Sequence, residues 1–328
     1  MSTLYKFRRA LVGFVALGVL VVAGLGLFAD APKMLGALGA FRWEFLPLVL
    51  VLTVFNYVLR FLKWQYYLRC IGVSGLSLRR SLSIFLSGFA MVVTPGKVGE
   101  WLKSYLLREA TGTPMSVSAP IVIAERLTDG LAMVLLASAG IVVYGYGGQL
   151  LLAIFVFTVA LVALSQQRAL ATRVLGLVGR MPFLGRSGLG LAAFYESSHE
   201  LLKTKNLLVA VGIGTASWWG ECVAFFLVLM GLGIEGTPTL LLQATFILCA
   251  ATLLGNVTML PGGLGVEEGS IAGMLLLLGA TDSLPVAAAA TLIIRFCTLW
   301  FGVSLGAITL LTSSRVILAQ DSPANPAG

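Results

Sequence analysis

The side chains with the clearest potential for chemistry are ionisable residues that interrupt long apolar segments. A charge at membrane depth costs about 2.5–3.5 kcal/mol to insert, so residues of this kind must pair with one another, line a water-filled cavity, or do both. Glu221 is a further candidate for such a residue. The main set comprises Arg60, Lys97, Glu100, Glu125, Arg126, Asp129, Glu267, Glu268 and Arg295.

Three cations in this set have the chemistry of a phosphate site. A guanidinium offers paired N–H donors that match phosphate oxygens, and backbone N–H groups freed at a Pro-Gly turn add donors for an anion. Lys97 lies in such a turn, and Arg126 and Arg295 each lie in an apolar span. The candidate substrate-binding residues are therefore Arg295, Arg126, Lys97, Arg60, Glu100, Asp129, Glu267 and Glu268.

Structural ion pairs are the alternative for each of these side chains. Asp129 follows Arg126 by three residues, a spacing at which two side chains on a helix meet, and it could neutralise that arginine. Arg295 has no acidic residue within four positions, which makes it the stronger candidate for a substrate contact. Glu100 and Glu267 follow matched turns; a partly buried carboxylate can take up a proton, but pairing with a nearby arginine explains both equally well.

The composition places these residues in a membrane. The chain has 328 residues, of which 58% are hydrophobic and 11% are charged, and its mean hydropathy is +0.97. Soluble domains carry about 25% charged residues, so a separate soluble catalytic domain is excluded. The net charge of +8 suits lipid-facing loops better than a nucleic-acid-binding surface. One histidine and four separated cysteines indicate no metal site, and no cofactor is expected.

Apolar segments of about 20 residues, the length that a bilayer-spanning helix needs, predict the fold. The predicted class is an all-α polytopic membrane protein with about six spans and two broken or re-entrant helical hairpins. Residues 81–94 stop at Pro95 and return through 98–107 as one hairpin, whereas 240–260 and 264–279 form either a second hairpin or two full spans. The six spans lie near 10–29, 44–63, 118–143, 149–165, 207–230 and 286–311.

The distribution of positive charge predicts the orientation. With the N-terminus inside, the inner loops hold most lysines and arginines, Lys63 among them, whereas the outer loops hold only Lys33 and Arg42. The positive-inside rule therefore places the N- and C-termini in the cytoplasm and the protein in the cell (inner) membrane. In the cytoplasmic stretch 166–206, Arg173 and Arg180 lie opposite apolar residues, which predicts an amphipathic helix on the inner surface.

The chain contains an internal repeat. Residues 95–100, Pro-Gly-Lys-Val-Gly-Glu, resemble residues 261–267, Pro-Gly-Gly-Leu-Gly-Val-Glu, and each turn follows an apolar helix and precedes a span that contains an arginine. The two hairpins are expected to enter from opposite sides, so 1–145 and 146–316 form an inverted repeat. Inverted halves with broken helices are typical of secondary transporters. Residues 317–328 are expected to be disordered.

Enzyme motifs in the sequence are weak. The Gly-x-Ser-Gly sequence at 72–75 lies in a loop, and His199 lies in the cytoplasmic stretch, so the two have no evident way to act together. The Gly-x-Ser-x-Gly sequence at 302–306 lies inside the last span with no preceding strand. No enzymatic activity is expected.

Taken together, these motifs resemble the flippase-like membrane domain of the lysylphosphatidylglycerol synthase family. The resemblance rests on residues 60–64, 94–100, 125–129 and 260–269 and on Arg295, and it covers nearly the whole chain. It implies lipid translocation, since in larger family members this domain moves aminoacylated phosphatidylglycerol. Those members also carry a soluble synthase domain; this chain ends just after the last span, so synthase activity is not expected. Lys63 and Lys97 stand where the family pattern has arginine, which preserves the charge.

The leading hypothesis is a membrane lipid flippase or transporter that moves an anionic or phosphate-bearing lipid, either a phospholipid or a polyprenyl-linked lipid, between leaflets. The alternative is a non-transporting membrane scaffold or partner of a lipid-modifying enzyme. Charges from both halves around one cavity would favour transport, whereas mutual neutralisation without a cavity would favour the scaffold. The expected partner is the membrane lipid; a lipid-synthesising enzyme and a homo-oligomer stay open, and nucleic acid is not expected.

Overall fold

The computed structural model of the chain describes residues 2–94, 100–145, 148–168 and 188–318, and these residues form helices joined by short turns. The helices of the first half are α1 (Ser2–Phe28), α2 (Ala31–Gly39), α3 (Leu46–Cys70), α4 (Leu78–Ala90), α5 (Leu102–Thr111) and α6 (Met115–Tyr144). Those of the second half are α7 (Gly148–Gln166), α8 (Gly188–Leu201), α9 (Thr204–Gly231), α10 (Pro238–Val257), α11 (Val266–Leu277), α12 (Leu284–Arg295) and α13 (Phe301–Leu318).

Within those ranges, five helical stretches are long and apolar enough to cross a membrane. They are α3 with the turn that precedes it from Trp43, then α6, α9 and α10, and finally α12 continued into α13 as far as Thr312. A sixth span results if α1 and α2, whose axes differ by 103°, are counted as one bent span. This architecture confirms the predicted class of an all-α polytopic membrane protein.

The segment 240–260, whose topology the sequence leaves open, forms one full-length helix. α10 has 20 residues, about 30 Å at 1.5 Å per residue, and most of it is buried within the protein. α11 has only 12 residues, about 18 Å, and is too short to cross a bilayer. The region 240–279 is therefore one long helix followed by one short helix.

Two predicted spans differ in detail from the structure. The span near 149–165 corresponds to α7, whose described apolar part, Leu152–Gln166, is shorter than the five spanning stretches. The first span ends at a sharp bend, because Asp30 adopts a left-handed conformation with φ of 62°. Pro32 follows in the first turn of α2, where its missing N–H prevents α1 from continuing as one straight helix.

The first half contains the expected pair of short helices. α4 has 13 residues and α5 has 10, about 20 Å and 15 Å, and the two helices pack against each other. A 3-10 turn at Met91–Val93 ends α4. Pro95 and Lys97, at the predicted tip of this hairpin, lie outside the described residues.

The most extensive helix contacts join the two halves of the chain. α3 packs against α9, α4 against α13, and α6 against α10. In each half, the first helix of the broken segment thus packs on the last span of the other half, which is the pattern that two equivalent halves would produce. The inverted repeat of 1–145 and 146–316 stays a prediction, because contacts do not give the direction in which each half crosses the membrane.

The predicted cytoplasmic stretch and tail are described in part. α8 covers Gly188–Leu201 of the stretch 166–206 and packs against α6, whereas Arg173 and Arg180 lie outside the described residues. α13 extends to Leu318, so the first two residues of the predicted disordered tail are helical. The remaining residues of the tail also lie outside the described ranges.

Gly306 determines how closely α13 approaches α4. A Cβ atom at this position would lie 2.4 Å from the backbone nitrogen of Ala90 and 2.8 Å from the carbonyl oxygen of Leu86. Since backbone atoms cannot move aside cheaply, we expect Gly306→Ala to lower the melting temperature in detergent, at an overpacking cost of about 1–3 kcal/mol.

Gly273 on α11 is the matched control for Gly306. A Cβ atom there would meet nothing within 4 Å, and alanine is a better helix former than glycine by about 1 kcal/mol. Gly273→Ala should therefore leave the melting temperature unchanged or raise it. The same response from both variants would contradict the close helix contact at Gly306.

Candidate functional site

The first buried ion pair joins Arg126 on α6 to Glu100, which directly precedes α5. The Nε of Arg126 donates to Oε2 of Glu100 at 2.8 Å, and its Nη2 donates to Oε1, which makes the pair bidentate. Glu100 is buried, whereas the Arg126 side chain keeps 34% of its surface exposed. The pair therefore joins α6 to the segment just before α5, and Arg126 still presents one face to its surroundings.

The second cluster is centred on Arg295, the last residue of α12. Its Nη1 lies 2.8 Å from Oε2 of Glu267, and its Nε donates to Oε1 of Glu268 at 2.5 Å. Its Nη2 donates to the carbonyl oxygen of Gly262 at 2.5 Å, and Gly262 adopts a left-handed φ of 60° that glycine tolerates without strain. Arg295 thus fixes the second Pro-Gly turn and the start of α11 to α12.

The carboxylates of this cluster are themselves held in place. Thr252 on α10 donates its hydroxyl to Oε1 of Glu267 at 2.8 Å. The backbone N–H of Gly265 donates to Oε2 of Glu268 at 2.6 Å, so Glu268 caps the N-terminus of α11 while it neutralises Arg295. The ion pair and the helix cap consequently depend on one carboxylate.

The two halves share one arrangement, in which a span arginine binds a carboxylate that follows a Pro-Gly turn. The sequence matches Arg126 with Arg295 and Glu100 with Glu267, and each arginine binds the glutamate of its own half. Arg295 has no acidic residue within four positions in the sequence, but in the structure it does have an acidic partner, because Glu268 reaches it from 27 residues upstream. A role for these residues in substrate binding stays a prediction.

Asp129 pairs with Lys63 on α3, and Arg126 pairs with Glu100, so the structure does not support the alternative in which Asp129 neutralises Arg126. Its Oδ1 accepts a hydrogen bond from Nζ of Lys63, and its Oδ2 lies 3.9 Å from Nη2 of Arg60. Lys63 is 1% exposed, which contradicts its assignment to an inner loop, because α3 continues to Cys70 and carries Lys63 within the protein. Arg60 is less buried and lies over the ring of Phe89 at 5.7 Å.

The sequence does not predict the buried ion pair between Lys103 and Glu125. Lys103 on α5 donates to Glu125 on α6, and both side chains are buried. Lys103 passes over Gly88 on α4, where a Cβ atom would lie 2.8 Å from Cγ of the lysine. The only sequence signal for this pair is that each residue interrupts an apolar segment, because their contact depends on how α4, α5 and α6 pack.

A cavity of about 160 Å³ collects ionisable side chains from both halves. At about 30 Å³ per water molecule in the liquid, it has room for about five water molecules or a group the size of a phosphate. Asp129 and Glu268 do not line the cavity themselves, but they lie next to Arg60 and Arg295, which do. Lys97 lies outside the described residues. The ionisable residues that line it are Arg60, Glu100, Lys103, Arg126, Glu221, Glu267 and Arg295, and neutral polar residues there include Asn56, Tyr57, Thr252 and Asn256.

Glu221 on α9 differs from the other acids of this cavity. It is 4% exposed, and its Oε2 has no hydrogen-bond partner. In the part of the chain that the structure describes, no basic nitrogen lies within 4.0 Å of its carboxylate. From the sequence alone, Glu221 is only a further candidate beside the main set of ionisable residues.

An apolar cavity of about 440 Å³ shares Arg295 with the polar cavity. It lies between α1 and the region where α12 passes through a π-helical turn, Phe296–Trp300, into α13. Arg295 and Glu268 are its ionisable lining residues. Its apolar lining comes from Gly18, Val21, Val22, Leu38, Trp43, Leu46, Leu264, Leu292, Ile293, Phe296 and Trp300.

Comparisons with known proteins match nearly the whole chain. The family model described as "Lysylphosphatidylglycerol synthase TM region" matches residues 15–306. A UPF0104 membrane protein of Methanothermobacter thermautotrophicus is 26% identical over 317 residues, which cover 89% of this chain and 92% of that protein. A UPF0104 membrane protein of Pyrococcus horikoshii is 20% identical over 334 residues, which cover 93% of this chain and 98% of that protein.

The buried position of Arg295 predicts a large effect on folding. Arg295→Ala would leave Glu267 and Glu268 buried without their cation, at a cost of about 3–5 kcal/mol. We expect little folded protein by size-exclusion chromatography in detergent and a strongly reduced melting temperature. Arg42→Ala, which breaks the exposed pair with Glu44, is the control and should change stability by at most about 1 kcal/mol. A well-folded Arg295→Ala variant with a normal melting temperature would contradict this structural role.

Proposed function

The chain belongs to the lysylphosphatidylglycerol synthase transmembrane-region family, and we propose that it is a membrane lipid flippase or transporter. It moves an anionic or phosphate-bearing lipid, either a phospholipid or a polyprenyl-linked lipid, between leaflets. The protein is a multi-pass membrane protein, and in this proposal it lies in the cell (inner) membrane with both termini in the cytoplasm.

The single observation that carries the proposal is the polar cavity between the two halves. Seven ionisable residues line it, four from the first half and three from the second, although each charge at membrane depth is costly to insert. The neutralised pairs by themselves would suit a scaffold equally well. A cavity lined by these charges favours transport, because a scaffold has no use for a polar chamber of this kind.

A phosphate headgroup fits this cavity through the arginines. Arg126 uses two N–H donors on Glu100, but its partly exposed guanidinium can offer further donors to a phosphate oxygen. Arg60 lies 3.9 Å from Asp129 and also lines the cavity, so in this proposal it adds a second positive charge beside the phosphate. Glu100, Glu267, Glu268 and Asp129 then orient the cations, and Lys97, which lies outside the described residues, stays a candidate for the headgroup site on its sequence alone.

The apolar cavity suits the hydrocarbon part of the same lipid. Its walls are apolar except where Arg295 and Glu268 close one end. Arg295 lines the polar cavity as well, so a headgroup in one cavity and a chain in the other would meet at this side chain. The division into a polar and an apolar compartment matches an amphipathic substrate and would not be needed for a free ion.

Alternation between leaflets would follow from the inverted repeat, which is part of this proposal. The contacts of α3 with α9, α4 with α13 and α6 with α10 support it, because each pairs elements of opposite halves. Rocking of one half against the other would then open the cavity to one leaflet at a time. A lipid-synthesising enzyme as partner and a homo-oligomer stay predictions, and no enzymatic activity is proposed.

Reconstitution in liposomes tests the transport activity. Purified protein is incorporated with labelled phosphatidylglycerol, or with a labelled polyprenyl phosphate, and a membrane-impermeant quencher reports the label that has reached the outer leaflet. We expect wild-type protein to accelerate exchange over empty liposomes. Failure to move either class of phosphate-bearing lipid would contradict the proposal.

Arg126→Lys separates substrate binding from folding. The lysine keeps the charge that neutralises Glu100, so we expect folded protein, but it loses the bidentate fork that matches phosphate. A lost charge-assisted hydrogen bond contributes about 1.5–3 kcal/mol, so transport should fall by about tenfold or more. Arg42→Lys, at an exposed ion pair, should transport normally. Equal transport by the two variants would remove Arg126 from the proposed site.

A further inference from the structure

Among the described residues that line the polar cavity, Glu221 is the acid that has no ion-pair partner. Glu100 binds Arg126, and Glu267 binds Arg295. Glu221 is nearly as buried as these two acids, yet its Oε2 has no hydrogen-bond partner among the described residues. It also lines the cavity, so the carboxylate is enclosed by protein on the helix side and faces the polar chamber on the other.

Among the described residues, none of the groups that face Glu221 forms an ion pair with it. Arg60 on α3 is close enough to act on it electrostatically, but its guanidinium lies beside Asp129 and over the ring of Phe89. From α6 the cavity receives Arg126, which is bound to Glu100, and from α10 it receives the neutral Thr252 and Asn256. The other neighbouring groups are neutral: Thr53 and Tyr57 on α3, Cys222 on α9 and Cys297 on the π-helical turn.

An ionised carboxylate in such a position is expensive, and it is relieved either by a cationic partner or by a proton. The described residues supply no cationic partner, while the cavity gives Glu221 access to water. We propose that Glu221 is a proton-binding site that couples lipid movement to the movement of one proton. This inference rests on the proposed lipid transport and adds to it the ion that accompanies the lipid.

The coupling follows from the charges in the cavity. One proton moves from water in the cavity to a carboxylate oxygen of Glu221 and is returned to water when the cavity faces the other side. A phosphate headgroup that engages Arg60 brings negative charge next to Glu221 and occupies its nearest cation. Proton binding and headgroup binding therefore favour each other, and by linkage each raises the affinity for the other by the same factor.

Glu221→Gln supplies the central test, because glutamine resembles the protonated acid and removes a buried charge. Binding of phosphatidylglycerol to detergent-solubilised protein is measured over a range of pH by native mass spectrometry. In the wild type we expect binding to weaken as pH rises, by a factor within the usual coupling range of about 5- to 150-fold. In Glu221→Gln, binding should stay at the low-pH level throughout. Glu235→Gln, at an exposed position in the loop after α9, should behave as the wild type.

Transport gives a second readout of the same site. In liposomes with an imposed pH gradient, the gradient should drive net movement of labelled phosphatidylglycerol by the wild type and by Glu235→Gln, but not by Glu221→Gln. Glu221→Asp keeps the acid and should keep a response to the gradient, so it serves if the glutamine variant folds poorly. Gradient-driven movement that is the same in Glu221→Gln as in the wild type would overturn the proposal.

Infrared difference spectroscopy separates this inference from the transport proposal. The carbonyl band of a protonated carboxylic acid should appear on acidification of the wild type and should be absent from Glu221→Gln. If the band is present but no phosphate-bearing lipid moves, the transport proposal fails and the proton site stands. If lipid moves while both the band and the pH response persist in Glu221→Gln, the proton site is wrong and transport stands.

Discussion

In each half, an arginine on a spanning helix hydrogen-bonds a glutamate that follows a Pro-Gly sequence, and the rest of this structure depends on this interaction. A charge within a bilayer must be compensated, so Arg126 and Arg295 can exist at membrane depth only if Glu100, Glu267 and Glu268 reach them. Those acids stand at the starts of short helices, and short helices require a break in the chain. The interrupted helices, the glycine conformations at the second turn and the position of the cavity all follow from this pairing.

Stability alone does not explain why so many charges lie inside this protein. Replacing a buried ion pair with well-packed apolar residues is often neutral or stabilising, so a chain selected only for folding could dispense with them. Two further buried pairs, Lys63 with Asp129 and Lys103 with Glu125, lie in the protein, and Lys103 also lines the chamber. The seven ionisable residues that line the cavity favour a role in handling a charged ligand, for which the cavity provides room.

The sequence predicts the class of the protein well, because a spanning helix needs only about 20 consecutive apolar residues and can be recognised without knowing how the helices pack. It also predicts matched turns from the common order of Pro95, Pro261 and the arginine in the last span of each half, and the structure describes the second of these turns. Partner choice is harder, because Asp129 and Lys63 are 66 residues apart and meet only through the packing of α3 on α6. An apolar run of 20 residues such as α10 can cross the membrane or turn back, and the sequence does not distinguish the two. Glu221 stands out only once the structure shows that Arg126 and Arg295 pair with other acids.

Photo-crosslinking with a phosphatidylglycerol that carries a diazirine on its headgroup tests the central claim most directly. The protein in liposomes is irradiated, digested and analysed by mass spectrometry to locate the adducts. A headgroup that enters the chamber between the halves should label cavity-lining residues of both halves, such as Asn56 and Tyr57 on α3 and Trp218 on α9. Adducts confined to lipid-facing positions such as Val142 and Leu311, with none in the cavity, would contradict the account.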